Sequence, residues 1–187
     1  MGIRLSLETS AARTLGGLSR IAHRGGGTTI PGKALWKLDP GAVDQLAARL
    51  PHGVAVMSAT NGKTTTTAMA AEILGGEHRL AWNRAGANLL SGIASALVAS
   101  RNAELGLFEV DEAALPEAVE RLRPRVVTLG NLFRDQLDRY GELEIVAERW
   151  RAAIAGLPDD AMLVVNVDDS VVADLAHGRE NAVRFGL

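Results

Sequence analysis

The sequence predicts an α/β fold: a mainly parallel sheet flanked by helices, preceded by a short helical N-terminal region. Three observations carry that expectation. Short apolar runs alternate with longer amphipathic or small-residue stretches, the pattern of right-handed strand–helix–strand crossovers. The run Val54-Ala55-Val56-Met57-Ser58 passes through Ala59-Thr60-Asn61-Gly62 into Lys63-Thr64-Thr65, a strand, a tight turn and a helix start. A length of 187 residues, 47% of them hydrophobic, suffices for one α/β domain with a real core.

Composition bounds the function. Aromatic residues make up only 4%, so the core is aliphatic and rich in alanine. A formal net charge of −2 gives no global bias toward nucleic acid. With no cysteine there is neither a disulfide nor a Cys-ligated metal within these residues, which fits a reducing compartment. No apolar run reaches transmembrane length, and the N-terminus lacks the apolar core of a signal peptide. A cytoplasmic protein is expected.

Taken in order, residues 3–22 read as a helix, with Leu5, Leu7, Leu15, Leu18 and Ile21 at roughly helical spacing. Arg4, Arg13, Arg20, His23 and Arg24 make it basic. Such a face either lies on an anionic membrane or is simply solvated. Gly25-Gly26-Gly27 breaks it. Thr28 to Leu38 reads as extended, turned at Pro31-Gly32. Asp39-Pro40 then reads as an N-cap with Pro at the first helical position, opening a helix through Leu50. Residues 1–50 thus form a short N-terminal region packed on the rest of the chain, and residues 51–187 form the central domain.

From Val54 the chain alternates. A helix runs from Lys63 to Leu74 and is ended by Gly75-Gly76. Arg79 to Trp82 reads as a short strand, and Asn88 to Ser100 as a helix whose small residues permit close packing. Strands at Leu105–Val110, Val126–Leu129, Met162–Val167 and Val183–Phe185 come next. Between them lie helices at Pro116–Leu122, Leu143–Leu157 and Ser170–Leu175. An ending directly after a strand, with no closing helix, is the expectation for part of a longer chain.

The loop after the first strand suits phosphate. Backbone N–H groups at such a turn, together with the dipole of the adjoining helix, favour an anion. Lys63 would reach the outer phosphates and the Thr64 hydroxyl would hold Mg²⁺. Met57 stands where the strict pattern has Gly, and Thr60-Asn61-Gly62 also reads as an ordinary polar turn. The chain has just three lysines (Lys33, Lys37 and Lys63), so an Arg-biased composition still keeps Lys here.

Ligands of an open parallel sheet gather beyond the carboxyl ends of its strands. That rule selects Thr60 to Thr65, Asn83 to Asn88, and Glu109 with Asp111 and Glu112. It also selects Asn131 with Arg134, Asp135, Gln136, Asp138 and Arg139, and Asn166 with Asp168 and Asp169. Glu109 interrupts an apolar strand, where a carboxylate is costly to bury unless paired or metal-bound; the alternative is a strand end facing water. Arg134 to Gly141 reads either as a salt-bridged surface turn or as a phosphate contact, with Asp135 orienting a ligand or ion. Asn166-Val167-Asp168-Asp169 reads equally as an Asx turn capping the next helix or as a nucleotide contact.

In this order, Ala59-Thr60-Asn61-Gly62-Lys63-Thr64-Thr65, Glu109, Asn131 with Arg134-Asp135-Gln136-Leu137-Asp138-Arg139, and Asn166-Val167-Asp168-Asp169 resemble the central ATPase domain of the Mur ligase family. More narrowly they look like the MurT subunits of lipid II isoglutaminyl synthase. The resemblance implies ATP and Mg²⁺ as cofactors, with Lys63 and Asp135 catalytic and Thr64 and Glu109 on the metal. It places Thr60, Asn61, Gly62, Lys63, Thr64, Thr65, Asn83, Asn88 and Asn166 against the nucleotide. The reaction implied is amidation of the α-carboxyl of D-isoglutamate in lipid II through an acyl phosphate. A GatD-like glutaminase subunit would supply the ammonia.

Departures from the family pattern narrow the choice. Gln136 stands where amino-acid-adding members carry a His metal ligand, and no lysine follows Lys63 to be carbamylated. The zinc ribbon expected in full-length MurT has no ligands in this chain, and the chain alone is expected to amidate little. Ala59 replaces a usual Gly; a positive φ there would cost about 1 kcal/mol. The competing readings are a non-catalytic nucleotide-binding module and an amino-acid or folylpolyglutamate-type ligase. A guanine-reading Asn-Lys-x-Asp does not occur.

Overall fold

The computed structural model describes residues 7–11, 14, 29–39, 41–84, 87–133 and 142–187. Its centre is a sheet of six strands, all parallel: β1 (Val54–Ser58), β2 (Leu80–Trp82), β3 (Leu105–Glu109), β4 (Val126–Leu129), β5 (Met162–Asn166) and β6 (Ala182–Phe185). The spatial order is β2-β3-β1-β4-β5-β6. β1 therefore lies between β3 and β4, the place where successive connections reverse direction across the sheet. A crevice opens beyond the carboxyl ends of strands at such a reversal.

The helices are α1 (Ile30–Leu38), α2 (Ala42–Ala47), α3 (Lys63–Gly75), α4 (Leu90–Ala99), α5 (Leu115–Leu122), α6 (Glu142–Ala155) and α7 (Ser170–Asp174). β1 and β3 read as near-continuous apolar runs because both are buried, as strands of parallel sheets are. α5 presents Leu115, Ala118, Val119 and Leu122 to the core at helical spacing. Trp150 of α6 and Phe108 of β3 are fully enclosed and fill most of the aromatic volume of that core.

α1 corrects the expectation of an extended segment turned at Pro31-Gly32. Pro31 sits in the first turn of the helix, where its missing N–H has no partner to lose. Gly32 is there for a close approach. Its N–H donates to Ser95 Oγ at 2.8 Å, and an added Cβ would lie 1.8 Å from the Ser91 carbonyl oxygen. The small residues of α4 thus let α1 pack directly on its backbone. Leu35 of α1 and Val43 of α2 are both fully buried in the same core as the sheet.

The helix expected through Leu50 is shorter, ending at Ala47. It begins at Ala42 with Gly41 as N-cap, while the Asp39 carboxylate accepts from the Gly41 N–H at 2.9 Å. Residues 7–11 and 14 are helical, as expected. The basic residues Arg4, Arg13, Arg20, His23 and Arg24, the Gly25-Gly26-Gly27 break and Pro40 lie outside the described residues. No helix among the described residues is long and apolar enough to cross a membrane.

The α1–α4 contact makes a direct prediction. Gly32→Ala drives a methyl into backbone and should cost more than about 2 kcal/mol, read as a lower midpoint in thermal or urea unfolding. Gly156→Ala, whose Cβ would meet nothing nearer than 3.5 Å, should stay within about 1 kcal/mol of the parent.

Candidate nucleotide-binding site

The loop between β1 and α3 is shaped first by its own residues. Gly62 takes φ 83°, a backbone conformation that costs L-residues about 1 kcal/mol or more, and serves as N-cap of α3 without a side-chain bond. The helix after it opens on Lys63 and four threonines, poor helix formers by propensity. Burial of Thr67 and Ala71, not propensity, holds it to the sheet. Ala59 is fully buried, and Arg123 is the sole non-glycine residue with positive φ among those described. Ala59 therefore carries no left-handed strain.

From the β4 side the loop is clamped by Asn131. Its Oδ1 accepts from Asn61 N at 2.9 Å, its Nδ2 donates to Asn61 O at 3.2 Å, and its carbonyl accepts from Thr60 N at 2.7 Å. The Thr60 hydroxyl oxygen accepts from Phe133 N at 3.1 Å. From the β3 side come two carboxylates. Glu109, only 3% exposed, accepts the Thr64 hydroxyl at 3.0 Å. Glu112 pairs with Lys63 Nζ at 2.9 Å, and that ammonium also donates to the carbonyls of Ala59 and Thr60.

Asn83 anchors the end of β3. Its Oδ1 accepts from Glu109 N at 2.9 Å, and its Nδ2 donates to the carbonyls of Glu109 and Ala87 at 2.7 and 2.8 Å. At 4% exposure it is a buried amide with both ends satisfied by backbone. Asn88 meets the same strand end through its carbonyl, which accepts from Asp111 N at 2.9 Å.

The structure thus gathers Thr60, Asn61, Gly62, Lys63, Thr64, Asn83 and Glu109 around one bend. Thr65 follows on the exposed first turn of α3. Asn166 stands apart at the end of β5, separated from β1 by β4, and its Oδ1 accepts from Asp168 N at 3.0 Å in an Asx turn. Asp169 caps α7 and also accepts from Leu132 N at 2.7 Å, joining the β5 and β4 ends. Arg134, Asp135, Gln136, Asp138 and Arg139 lie outside the described residues. A concavity of about 1000 Å³ near Arg151, Asp174 and Arg179 touches none of these groups.

Two contributors have no role legible in the sequence. Glu112 is only one of several strand-end acids there, and nothing in the sequence pairs it with Lys63. Trp150, on α6, donates from Nε1 to the Glu112 carbonyl at 2.8 Å and is fully buried. The lone tryptophan among the aliphatic, small and charged residues of that helix is the available signal.

The donor set fits magnesium. Thr64 Oγ1 and Glu109 Oε1 are both hard oxygens, 3.0 Å apart. Two oxygens at that separation could both meet one small, hard cation such as magnesium, to which they would contribute a hydroxyl and a carboxylate ligand. Among the described residues no three His, Cys, Asp or Glu side chains converge on a point. An ion here would be held by few protein groups and completed by phosphate and water, the usual magnesium arrangement.

The sequence matches the Mur ligase middle domain over residues 58–187. The chain belongs to the Mur ligase family. A lipid II isoglutaminyl synthase subunit MurT from Staphylococcus aureus (strain N315) is 30% identical over 164 residues, covering 86% of this chain and 37% of that protein. A UDP-N-acetylmuramoylalanine–D-glutamate ligase from Acidobacterium capsulatum is 34% identical over 134 residues, covering 71% of this chain and 28% of that protein. The chain thus spans little more than a third of the length of the MurT relatives. The MurF ligase of Thermotoga maritima, solved in complex with ADP, superposes with a TM-score of 0.69 at 18% identity. That alignment covers 83% of this chain and 36% of the other, and establishes the fold of this Mur ligase domain.

The clamp is testable without a ligand. Asn131→Ala removes two side-chain bonds to Asn61, each worth about 1 kcal/mol. Amide hydrogen exchange at Asn61 and its neighbours should accelerate by about tenfold or more, while the central strands exchange as before.

Proposed function

We propose that this Mur ligase domain binds ATP with Mg²⁺ at the β1–α3 bend, as the nucleotide-binding part of a MurT-type lipid II isoglutaminyl synthase. The observation that carries the reading is the pairing of Thr64 with Glu109 beside Lys63. The two oxygens are the metal-side donors and the ammonium is the phosphate-side cation. MgATP supplies the phosphoryl group that activates a carboxylate. The chain's own residues position and neutralise.

Amides of the Gly62-Lys63-Thr64 turn and the N-terminal end of α3 take the phosphate oxygens. Lys63 neutralises the outer phosphates, and Thr64 with Glu109 orients the ion. Asn61 and Thr60 keep the turn open through Asn131, while Asn83 acts by fixing the backbone of Glu109. Asn88, beyond β2, and Asn166, beyond β5, would meet the outer parts of the nucleotide from the second strand on either side of β1, and Asp135 orients substrate or ion. Residues 1–50 then form an N-terminal region and residues 51–187 the ATP-binding domain.

The MurT relatives favour amidation over amino-acid addition, since they align with 86% of the chain against 71% for the D-glutamate ligase. Gln136 in place of a metal-binding His and the lack of a lysine after Lys63 point the same way. The acceptor is the D-isoglutamate α-carboxyl of lipid II. Ammonia comes from a glutaminase subunit, and the site of action is the cytoplasmic face of the membrane that holds the lipid.

Titration calorimetry tests the site. Lys63→Ala should weaken MgATP binding by at least about tenfold, the equivalent of about 1.4 kcal/mol. Glu109→Gln should abolish the gain in nucleotide affinity that magnesium gives the parent protein, while magnesium-free binding persists. Equal isotherms for the parent and both variants would refute the assignment.

A further inference from the structure

We infer that Glu112 is a positioning residue for Lys63: it holds the ammonium across the bend, and incoming phosphate takes the lysine by exchange of ion pairs. The inference rests on the phosphate-site reading above and adds a partner to it. An ammonium has three N–H groups. Lys63 spends them on the carbonyls of Ala59 and Thr60 and on Glu112 Oε2, the last at 2.9 Å. No donor is left for a ligand unless one acceptor lets go.

Glu112 is the acceptor that phosphate displaces. The two carbonyls belong to the loop and move with it, whereas the carboxylate is a separate anion that a polyphosphate repels. The side chains of Lys63 and Glu112 are 11% and 21% exposed, so the pair is less screened than one on the open surface. Its geometry is also set from behind. The Glu112 carbonyl takes the Nε1–H of buried Trp150, and the preceding Asp111 N–H is bound to Asn88 O at 2.9 Å. The backbone of Glu112 is thus pinned between α6 and the β2 loop, and its side chain reaches the lysine from a fixed base. Glu109, three residues earlier, is bonded to Thr64 instead, and none of these lysine bonds goes to it. One strand end therefore supplies two acids with different tasks, one on the metal side and one exchanged on the phosphate side.

The composition makes this measurable, because Lys63 shares the chain with only Lys33 and Lys37, both exposed on α1. In the intact protein an amine-reactive acylating reagent, followed by mass spectrometry, reads all three lysines at once. Lys63 should label more slowly than the two controls. Glu112→Gln should speed Lys63 about threefold to tenfold and leave Lys33 and Lys37 unchanged, while Glu112→Asp, which keeps the charge, should stay near the parent. Calorimetry should show Glu112→Gln binding MgATP about threefold to tenfold more tightly, since the competing anion is gone.

Unchanged labelling of Lys63 in Glu112→Gln, with ATP still protecting it, would overturn the role of Glu112 alone. Weaker MgATP binding by that variant would overturn the exchange, because Glu112 would then be assisting the bound state. Faster labelling with no protection by ATP in either protein would overturn the phosphate-site reading instead. A circular dichroism spectrum matching the parent, together with the Asp variant, separates each result from misfolding.

Discussion

Placing Glu109 at 3% exposure, at the end of an otherwise apolar strand, is the constraint that organises the site. A buried carboxylate needs partners, and the loss of any one is expensive. Its Oε1 takes the Thr64 hydroxyl, while its backbone N–H and carbonyl are both bound by Asn83. Three elements are thereby tied at one residue: β3, the loop after β2, and the first turn of α3. With Thr64 fixed, the amides of the preceding turn are fixed too. The direction of α3 and the place of Lys63 follow.

Strand order turns that knot into a cradle. β1 has β3 on one side and β4 on the other, so the loop it delivers is propped from both directions. Glu109 and Glu112 reach it from the β3 end, and Asn131 with the Phe133 amide from the β4 end. The β4 end is in turn joined to β5 through Asp169, which caps α7 and binds Leu132 N. A loop held in this way needs little rearrangement to meet an anion. Such preorganisation makes fixed dipoles effective against phosphate. A sheet with β1 at its edge would have left one side of the bend to solvent.

The parts legible in the sequence are those governed by local chemistry. β4 is expected at Val126–Leu129 and lies there, because Arg125 and Gly130 bound a short run of β-branched and aliphatic residues. The strand–turn–helix around Gly62-Lys63-Thr64 is legible because a glycine turn and a Lys-Thr pair suit one arrangement. α1 departs from its expected extended form because Pro-Gly is a turn signal in isolation. Only the packing of Gly32 on α4, contributed by residues some sixty positions away, makes the pair helical. The Glu112–Lys63 pair and the Trp150 anchor span 49 and 38 residues and leave no periodic trace. Asn166 shows the opposite case: its Asx turn is legible as local chemistry, while its distance from the bend depends on strand order.

Ala59 illustrates how such long-range terms resolve an apparent local fault. A methyl at the mouth of a phosphate loop, where the resemblance leads one to expect glycine, suggests backbone strain. The structure keeps Ala59 out of the left-handed region, so the methyl needs only space. That space comes from the next strand: Gly130, at the end of β4, has no Cβ, and one added there would lie 2.8 Å from the Ala59 Cβ. The Gly130 N–H is bound to Ser58 O at 2.9 Å, so the two backbones are already as close as a sheet permits. One methyl between them fills the gap and two would force it apart. The alanine in the loop and the glycine after β4 are therefore a single packing arrangement, in which the Ala59 methyl requires that position 130 carry none. The amides of the bend remain as Gly62 and Asn131 set them.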